Sequence, residues 1–294
     1  MADIYKTIDD ITRTKTSVDG TERIPARDSS GDFKITVANF QSSLTAPSTY
    51  FTDASYVVLD DDNYERIEVD TTSGDITITL PLKANNLKRR IEIANVKGGT
   101  NKVIISPNAT DANTLSGDAL AAIWLPKIGD FVTFQESAGS GYWEIVNERI
   151  TSQLRLNTYA GYGSTDIKIM RFANVVENIG NMFSENHVSG YSGNTKGLEI
   201  TINRSGRYSF CFNFRNTSAT AYSGLSLNST ELTIDCVSIN IINRLTLMFN
   251  FADTITCNSI AIYLKKGDII RPHTNGAVSA VASQSSFSAT YFGN

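Results

Sequence analysis

Five carboxylates spread along the chain are the side chains with the clearest potential for catalysis. They are Asp75, Asp130, Glu136, Glu144 and Glu199. Two carboxyl groups on either side of a glycosidic bond can cleave a polysaccharide, one as the acid and the other as base or nucleophile. Strand alternation turns Glu144 and Glu199 outwards, and the sequence places no two of the five at the separation that this reaction needs. We therefore expect no enzyme activity, and polysaccharide cleavage is the alternative to test.

One acidic cluster is a second place where chemistry has to be considered. Asp60, Asp61 and Asp62 are followed closely by Glu65, and carboxylate oxygens are the ligands that Ca²⁺ prefers. The cluster lacks the D-x-D-x-D-G frame of a calcium loop. We interpret it as a solvated turn, which would need a cation only if copies of the cluster met around a three-fold axis.

Histidine and cysteine provide little for a metal or a catalytic triad. His187 and His273 are the two histidines, and neither belongs to an H-E-x-x-H pattern. No G-x-S-x-G elbow or C-x-x-C pair is present. Cys211, Cys236 and Cys257 lie far apart, two of them within apolar runs, and we expect buried free thiols rather than a disulfide. The sequence predicts no metal site and no cofactor.

Composition and charge exclude several classes of partner. The 294 residues are 41% hydrophobic but only 19% charged, with a net charge of −4. Such a chain can form a core but lacks the basic surface that neutralises phosphates, so we expect no nucleic-acid partner. No apolar segment reaches the roughly 20 residues of a membrane span, and the first residues have no apolar region of a signal peptide. We expect no membrane insertion.

The positions of apolar residues predict a chain built almost entirely of strands. Apolar residues alternate with a period of two, and turn residues recur at short intervals, which is typical of sandwiches and barrels. One short helix is predicted over Thr36–Leu44. We divide the chain into a short polar segment at 1–48, a small antiparallel β domain at 49–152 and a jelly roll at 153–294. The first segment has too few apolar residues for its own core and needs a partner surface.

Long polar loops in the last segment are candidates for ligand binding. Three of them contain isolated Tyr191, Tyr222 and His273. Loops on a rigid β scaffold often carry binding functions, and these rings are suited to stack on a sugar or to form hydrogen bonds with it. The alternative is that the loops are merely solvated.

Three stretches together resemble a known family. Asp19-Gly-Thr-Glu-Arg-Ile-Pro25, followed by Phe33-Lys-Ile-Thr-Val-Ala-Asn39, resembles the N-terminal element of tailed-bacteriophage fibre and virion-decorating proteins. The middle segment is similar to β modules of phage fibre shafts. Gly206-Arg-Tyr-Ser-Phe210 and the closing Ser285-Ser-Phe-Ser-Ala-Thr-Tyr291 resemble strands of the C1q/TNF-like trimeric jelly roll.

This resemblance implies a non-enzymatic homotrimeric fibre or spike of a virion, synthesised in the host cytoplasm. The first segment would anchor it to another virion protein of the capsid, neck or tail. The anchoring residues would be Asp19, Gly20, Thr21, Ile24, Pro25, Phe33, Ile35 and Phe40. The head would attach to the host surface, with a glycan as the expected ligand, or the protein would instead be a capsid fibre that decorates and stabilises the particle.

The resemblance also implies which residues meet at the trimer centre. They would come from the G-x-Y-x-F strand and the last strand, which are neighbours in the sheet that packs there. These residues are Tyr208, Phe210, Phe212, Phe287 and Tyr291. Large aromatics at alternate positions support a second buried surface, and the alternative is the core of one ordinary sandwich.

Overall fold

The computed structural model contains two compact units, at 1–48 and 49–294. The described residues are 23–28, 31–36, 48–86, 88–111, 115–136, 141–162, 168–186, 197–217, 220–231, 233, 237–275 and 284–293. All the regular secondary structure of these residues is β-strand, except for two short 3₁₀ helices, Lys83–Asn85 and Ala109–Asp111. The prediction of an all-β chain is confirmed.

The first unit contains an antiparallel hairpin of β1 (Arg23–Asp28) and β2 (Gly31–Thr36). Of the residues predicted for anchoring, Ile24 lies opposite Ile35, and Pro25 and Phe33 also lie on the paired strands. The others, Asp19, Gly20, Thr21 and Phe40, lie outside the described residues. So does the helix predicted over Thr36–Leu44, apart from Thr36 at the end of β2.

The first half of the second unit contains two sheets. Its strands are β3 (Ser48–Thr52), β4 (Tyr56–Val57), β5 (Tyr64–Asp70), β6 (Ile76–Thr79), β7 (Arg90–Lys97), β8 (Val103–Ser106), β9 (Ile123–Leu125), β10 (Phe131–Glu136) and β11 (Trp143–Arg149). One sheet has the order β11-β10-β7-β5-β3 and the other β4-β6-β8-β9. On β6 the predicted alternation is seen, since Ile76 and Ile78 are buried and Thr77 and Thr79 are less so.

The prediction of an antiparallel middle domain is wrong for three strand pairs. β4 pairs with β6, β6 with β8, and β5 with β7, and all three pairs are parallel. Strands β4 to β8 alternate between the two sheets, so the chain returns to a sheet in the direction in which it left. A parallel pair needs a long crossover, and here the crossover is a strand of the opposite sheet instead of a helix.

The second half of this unit is a sandwich of two five-stranded sheets, which we call the head. Its strands are β12 (Gln153–Tyr162), β13 (Met170–Ile179), β14 (Phe183–Glu185), β15 (Ile200–Ile202), β16 (Gly206–Arg215), β17 (Thr220–Leu227), β18 (Met248–Phe251), β19 (Ile255–Leu264), β20 (Ile269–Thr274) and β21 (Ser286–Gly293). The sheet orders are β13-β12-β21-β16-β19 and β14-β15-β20-β17-β18. Most hydrogen-bonded neighbours are far apart in sequence, which is the jelly-roll arrangement that the sequence predicts.

The five aromatic residues predicted for the trimer interface form part of the core of the single chain. Tyr208, Phe210, Phe212 and Phe287 are fully buried, and Tyr291 is only 4% exposed. A side chain without accessible surface in one chain has none left to bury against another. The structure therefore corrects this prediction in favour of the ordinary sandwich core, and a contact between chains has to use other residues.

Gly206 provides the first testable prediction, because the last strand packs directly on it. A methyl group at this position would lie 2.6 Å from Tyr291 Cε2 and 2.9 Å from the Gly293 carbonyl oxygen. Overpacking of this kind typically costs about 1–3 kcal/mol. We expect Gly206→Ala to lower the free energy of unfolding by that amount in denaturant titrations. Gly74→Ala is the control, since no atom lies within 4 Å of its added methyl group, and equal losses in both variants would contradict the packing argument.

Candidate functional site

The carboxylates considered for catalysis are held by separate partners. Asp75 accepts hydrogen bonds from the backbone nitrogen and Nζ of Lys102, at 3.0 and 2.6 Å. The buried Glu136 accepts from the backbone nitrogen of Lys88 at 3.2 Å. Glu199 accepts from Arg271 Nε at 2.8 Å. These contacts are those of structural ion pairs and turns.

Asp130 is also structural. Its buried carboxylate accepts from the backbone nitrogen of Lys127 at 2.9 Å and from the hydroxyl of Thr151 at 2.8 Å. Burial raises the pKa of this carboxyl above its usual value, although the hydrogen bonds act in the opposite direction. The bond to Thr151 ties the turn before β10 to the segment that leads into the head.

The acidic cluster braces a turn. Asp60 accepts hydrogen bonds from the amides of Asn85 and Asn86 at 2.6 and 2.7 Å, and these bonds hold its pKa below the usual value. Asp62 accepts from the Tyr56 hydroxyl at 2.6 Å and from the backbone nitrogen of Leu59 at 2.7 Å. Within the described part of the chain, no three His, Cys, Asp or Glu residues come together as a metal site.

Asp70 provides a prediction about pH. Lys97 Nζ donates to its carboxylate at 2.8 Å, and Thr72 donates through its hydroxyl and, at 2.9 Å, through its backbone nitrogen. These bonds lower the pKa of Asp70 from 3.8 to about 2. A lowered carboxyl pKa stabilises the fold above the unfolded value and loses this effect as the pH falls through the folded value.

We therefore expect Asp70→Asn to lower the Tm at about pH 6, with a difference that shrinks below about pH 4 and disappears near pH 2. Thermal unfolding of both proteins across this range measures it. In a Lys97→Met background the pH-dependent difference should be smaller, because the largest cause of the shift is absent. A difference that stays constant down to pH 2 would contradict the assignment.

Of the three residues predicted to bind a sugar, the two that the structure describes do not form a site on the surface. His273 is fully buried on β20, and its Nε2 lies 2.8 Å from Ser226 Oγ. A buried ring has no face to offer a ligand, so its predicted role is corrected. Tyr222 lies on β17 with its ring centroid 5.2 Å from that of Phe249. Tyr191 lies outside the described residues.

An exposed apolar surface follows the edges of the two head sheets. It consists of Leu247, Met248, Phe249, Phe251 and Ile255, and we call it the edge surface. Phe251 is 63% exposed and Ile255 is 64% exposed, and the ring centroids of Phe249 and Phe251 are 5.0 Å apart. β18 is the edge strand of one sheet and β19 of the other. Exposed apolar edges of this kind mark sites of association.

The sequence of the edge surface departs from the alternation of apolar and polar residues, and this departure could have predicted it. In Leu247-Met-Phe-Asn-Phe251 four of five residues are apolar at nearly successive positions. A strand with this pattern places apolar residues on both of its faces, while a strand with one solvated face alternates. The buried residue of β18 is the polar Asn250, whose amide donates to Ser223 Oγ at 3.0 Å. The apolar neighbours are thus turned to solvent.

A buried ion pair joins the middle sheets to the head. Arg204 donates through Nη1 and Nη2 to the two carboxylate oxygens of Glu148, at 2.6 and 3.0 Å. The Tyr291 hydroxyl donates to Glu148 at 2.7 Å. The side chains of Arg204 and Glu148 are 1% and 7% exposed. Burial raises the pKa of the Tyr291 hydroxyl, which stays a neutral donor.

A cleft of about 510 Å³ lies beside this junction, lined by Trp124, Met182 and several polar residues. Asn181 uses both ends of its amide there, accepting from the Trp124 backbone nitrogen and donating to the Ala122 carbonyl. Lys266 Nζ donates to the Asp118 carbonyl at 2.8 Å. These hydrogen bonds connect the middle sheets to the head, so the cleft lies at the interface between them.

Comparison with known proteins adds a likeness of fold. The chain resembles crystal structures of murine APRIL. Three of these structures are 13–15% identical to it, cover 48% of this chain and 99% of their own, and have TM-scores of 0.33–0.35. No family model matches the sequence, and neither does any curated protein. The jelly-roll assignment therefore rests on the strand order described above.

The described surface thus favours assembly over catalysis. The edge surface is apolar and open, whereas the carboxylates considered for catalysis mostly serve the fold. Among the described residues, no helix has the length and hydropathy of a membrane span. The edge surface is therefore the candidate functional site among the described residues.

Proposed function

We propose that this chain is a non-enzymatic structural protein of a tailed-phage virion. It assembles as a homotrimeric fibre or spike, is attached through residues 1–48 to another virion protein, and presents its head outwards. The observation that carries the proposal is the edge surface, an apolar strip along two strand edges that a neighbouring copy would cover. The resemblance of the N-terminal motif and of the middle segment to phage fibre proteins supports the phage origin, and the resemblance of the C-terminal motifs to the C1q/TNF-like jelly roll supports the trimer.

Trimer formation would bury the apolar side chains that the edge surface exposes to water. Exposed strand edges with apolar side chains associate unless they are covered, and closed rings of identical subunits cover one surface on every copy. In a heterologous ring, Phe251 and Ile255 of each subunit would contact a different patch on the next subunit. This interface replaces the aromatic residues that the sequence predicts for the trimer centre.

Attachment through the first unit is supported by the division of the chain into two compact units. Residues 1–48 form a compact unit of their own, and the described part of it is a two-stranded hairpin. An isolated hairpin has little stability in water, so a partner surface would complete it. The partner is another virion protein of the capsid, neck or tail.

The outward role is attachment to the host surface, with a glycan as the expected ligand. This role is inferred from the resemblance to fibres and not from the ring residues proposed to bind the sugar. Among those residues, His273 is buried and Tyr222 packs on Phe249. The alternative, a capsid fibre that decorates and stabilises the particle, needs no ligand. The position of the protein on the particle distinguishes these two roles.

The experiment is electron microscopy of intact particles that carry the full chain with a gold-labelled tag. Label at the tail tip or baseplate supports host attachment, and label over the capsid supports decoration. Particles without label would overturn the virion assignment. A matched variant, Ile24→Asp with Ile35→Asp, changes two opposed hairpin residues and should abolish labelling while the mass of the oligomer stays the same. Labelling that persists in this variant would overturn the anchoring claim.

A further inference from the structure

Two thiols lie side by side on the outer face of the head. Cys211 Sγ on β16 is 3.2 Å from Cys257 Sγ on β19. Cys211 is half-buried and Cys257 is exposed. They are not the buried thiols that the sequence predicts, because the inward positions beside Cys211 are taken by Phe210 and Phe212.

The register of the two strands explains this contact. Cys211 lies opposite Ser259, and Asn213 lies opposite Cys257. The two cysteines are therefore diagonal neighbours on one face of an antiparallel pair, where side chains are within reach of each other. A disulfide requires sulfurs about 2.05 Å apart, so closure needs them to approach by roughly 1 Å. Diagonal neighbours typically lie about 7–8 Å apart, near the upper limit that a disulfide spans, so closure also requires a small approach of the two strands.

We propose that Cys211 and Cys257 form a disulfide that ties the edge strand β19 to β16. β19 begins at Ile255, a member of the edge surface, so the cross-link fixes the strand beside the proposed contact between chains. In a reducing cytoplasm the pair stays as two thiols, and in an oxidising exterior it closes. Passage of the chain to that exterior rests on the proposed function, whereas the chemistry of the pair does not.

Glutathione disulfide is a suitable oxidant, and the reaction balances in two steps. The exposed Cys257 thiolate attacks one sulfur of the oxidant, which forms a mixed disulfide and releases one glutathione thiolate. Cys211 then loses its proton to water and attacks Cys257 Sγ, which releases the second glutathione. The protein loses two hydrogen atoms and the oxidant gains them. Burial, followed by the hydrogen bond with Cys257, raises the pKa of Cys211 to about 11, so the second step should accelerate as the pH rises.

The test uses the full chain with Cys236→Ser, which removes the third cysteine. After incubation with glutathione disulfide, intact mass should fall by two hydrogen atoms, and proteolysis without reductant should yield one peptide pair joined through Cys211 and Cys257. The cross-link should raise the Tm by roughly 5–15 °C relative to the reduced protein. Dithiothreitol should reverse both effects.

The matched control adds Cys211→Ser to the same background. Its Cys257 has no second thiol and should keep glutathione as a stable adduct. If the protein with both cysteines also keeps glutathione, or if neither adduct nor cross-link forms, the inference is wrong. A cross-link that forms in vitro, combined with particles that lack gold label, would leave the thiol pair standing and remove only the virion function.

Discussion

Glu148→Ala is expected to lower the free energy of unfolding by about 3–5 kcal/mol, because it leaves a buried guanidinium without its counter-charge. Arg204 is 1% exposed, and both of its terminal nitrogens donate to Glu148. Its Nε has no hydrogen-bond partner in the described structure, so Glu148 is its principal source of compensation. The Tyr291 hydroxyl loses its acceptor in the same variant. Denaturant titration measures the loss.

The control for this prediction is an exposed ion pair in the same head. Arg215 lies 3.4 Å from Asp253, whose side chain is 74% exposed, and such pairs contribute about 0–1 kcal/mol. Asp253→Asn removes this charge and keeps a residue suited to the positive φ of 57° at the position, so it should change stability little. Glu148→Met combined with Arg204→Met should recover much of the loss, since an apolar pair leaves no buried charge. Similar small losses in Glu148→Ala and Asp253→Asn would show that water reaches the pair.

The sequence predicts the alternation of strand β6 because alternation is a local property. The pattern Ile76-Thr-Ile-Thr fixes which residues of β6 face inwards, and the structure has Ile76 and Ile78 buried. The pairing of β6 is not local. Its two neighbours β4 and β8 are both parallel to it because the chain alternates between two sheets, and no short window of sequence contains that path.

The aromatic positions of β16 show a second limit. Alternation places Tyr208, Phe210 and Phe212 on one face, but it does not say whether a second sheet or a second chain covers that face. In the structure the opposite sheet covers it, and all three are fully buried. The same alternation places Cys211 on the outer face. An apolar run around a cysteine indicates burial only if all its residues point inwards, whereas in a strand the adjacent residues point the opposite way.

His273 shows how neighbouring strands change the meaning of a residue. The sequence Arg271-Pro-His-Thr274 has the polar character of a loop, but β20 lies between β15 and β17 in its sheet. Both edges of the strand are paired, and all residues from Ile270 to Thr274 are buried. A central position in a sheet is decided by strands distant in sequence, so the chain on either side of His273 does not reveal it.

Phe251→Asp should convert the proposed trimer into single chains. The residue is 63% exposed in one chain, and an aromatic side chain at the centre of an interface typically contributes 2 kcal/mol or more, which corresponds to roughly a 30-fold change in Kd. Because each subunit of a ring carries the substitution, every interface is weakened at once. Light scattering coupled to size-exclusion chromatography should give the mass of three chains for the unmodified protein and of one chain for the variant.

Ile128→Asp is the matched control, since Ile128 is 56% exposed but lies in the turn before β10 and not on a head strand. It should remain a trimer. Phe251 faces solvent while its neighbour Asn250 is buried, so the variant should keep its fold, and an unchanged Tm at low protein concentration would verify this. If Phe251→Asp were still a trimer, the contact between chains would not use the edge surface. If the unmodified protein had the mass of one chain, the trimer proposal would be wrong, because the apolar edges of β18 and β19 would then stay exposed in solution.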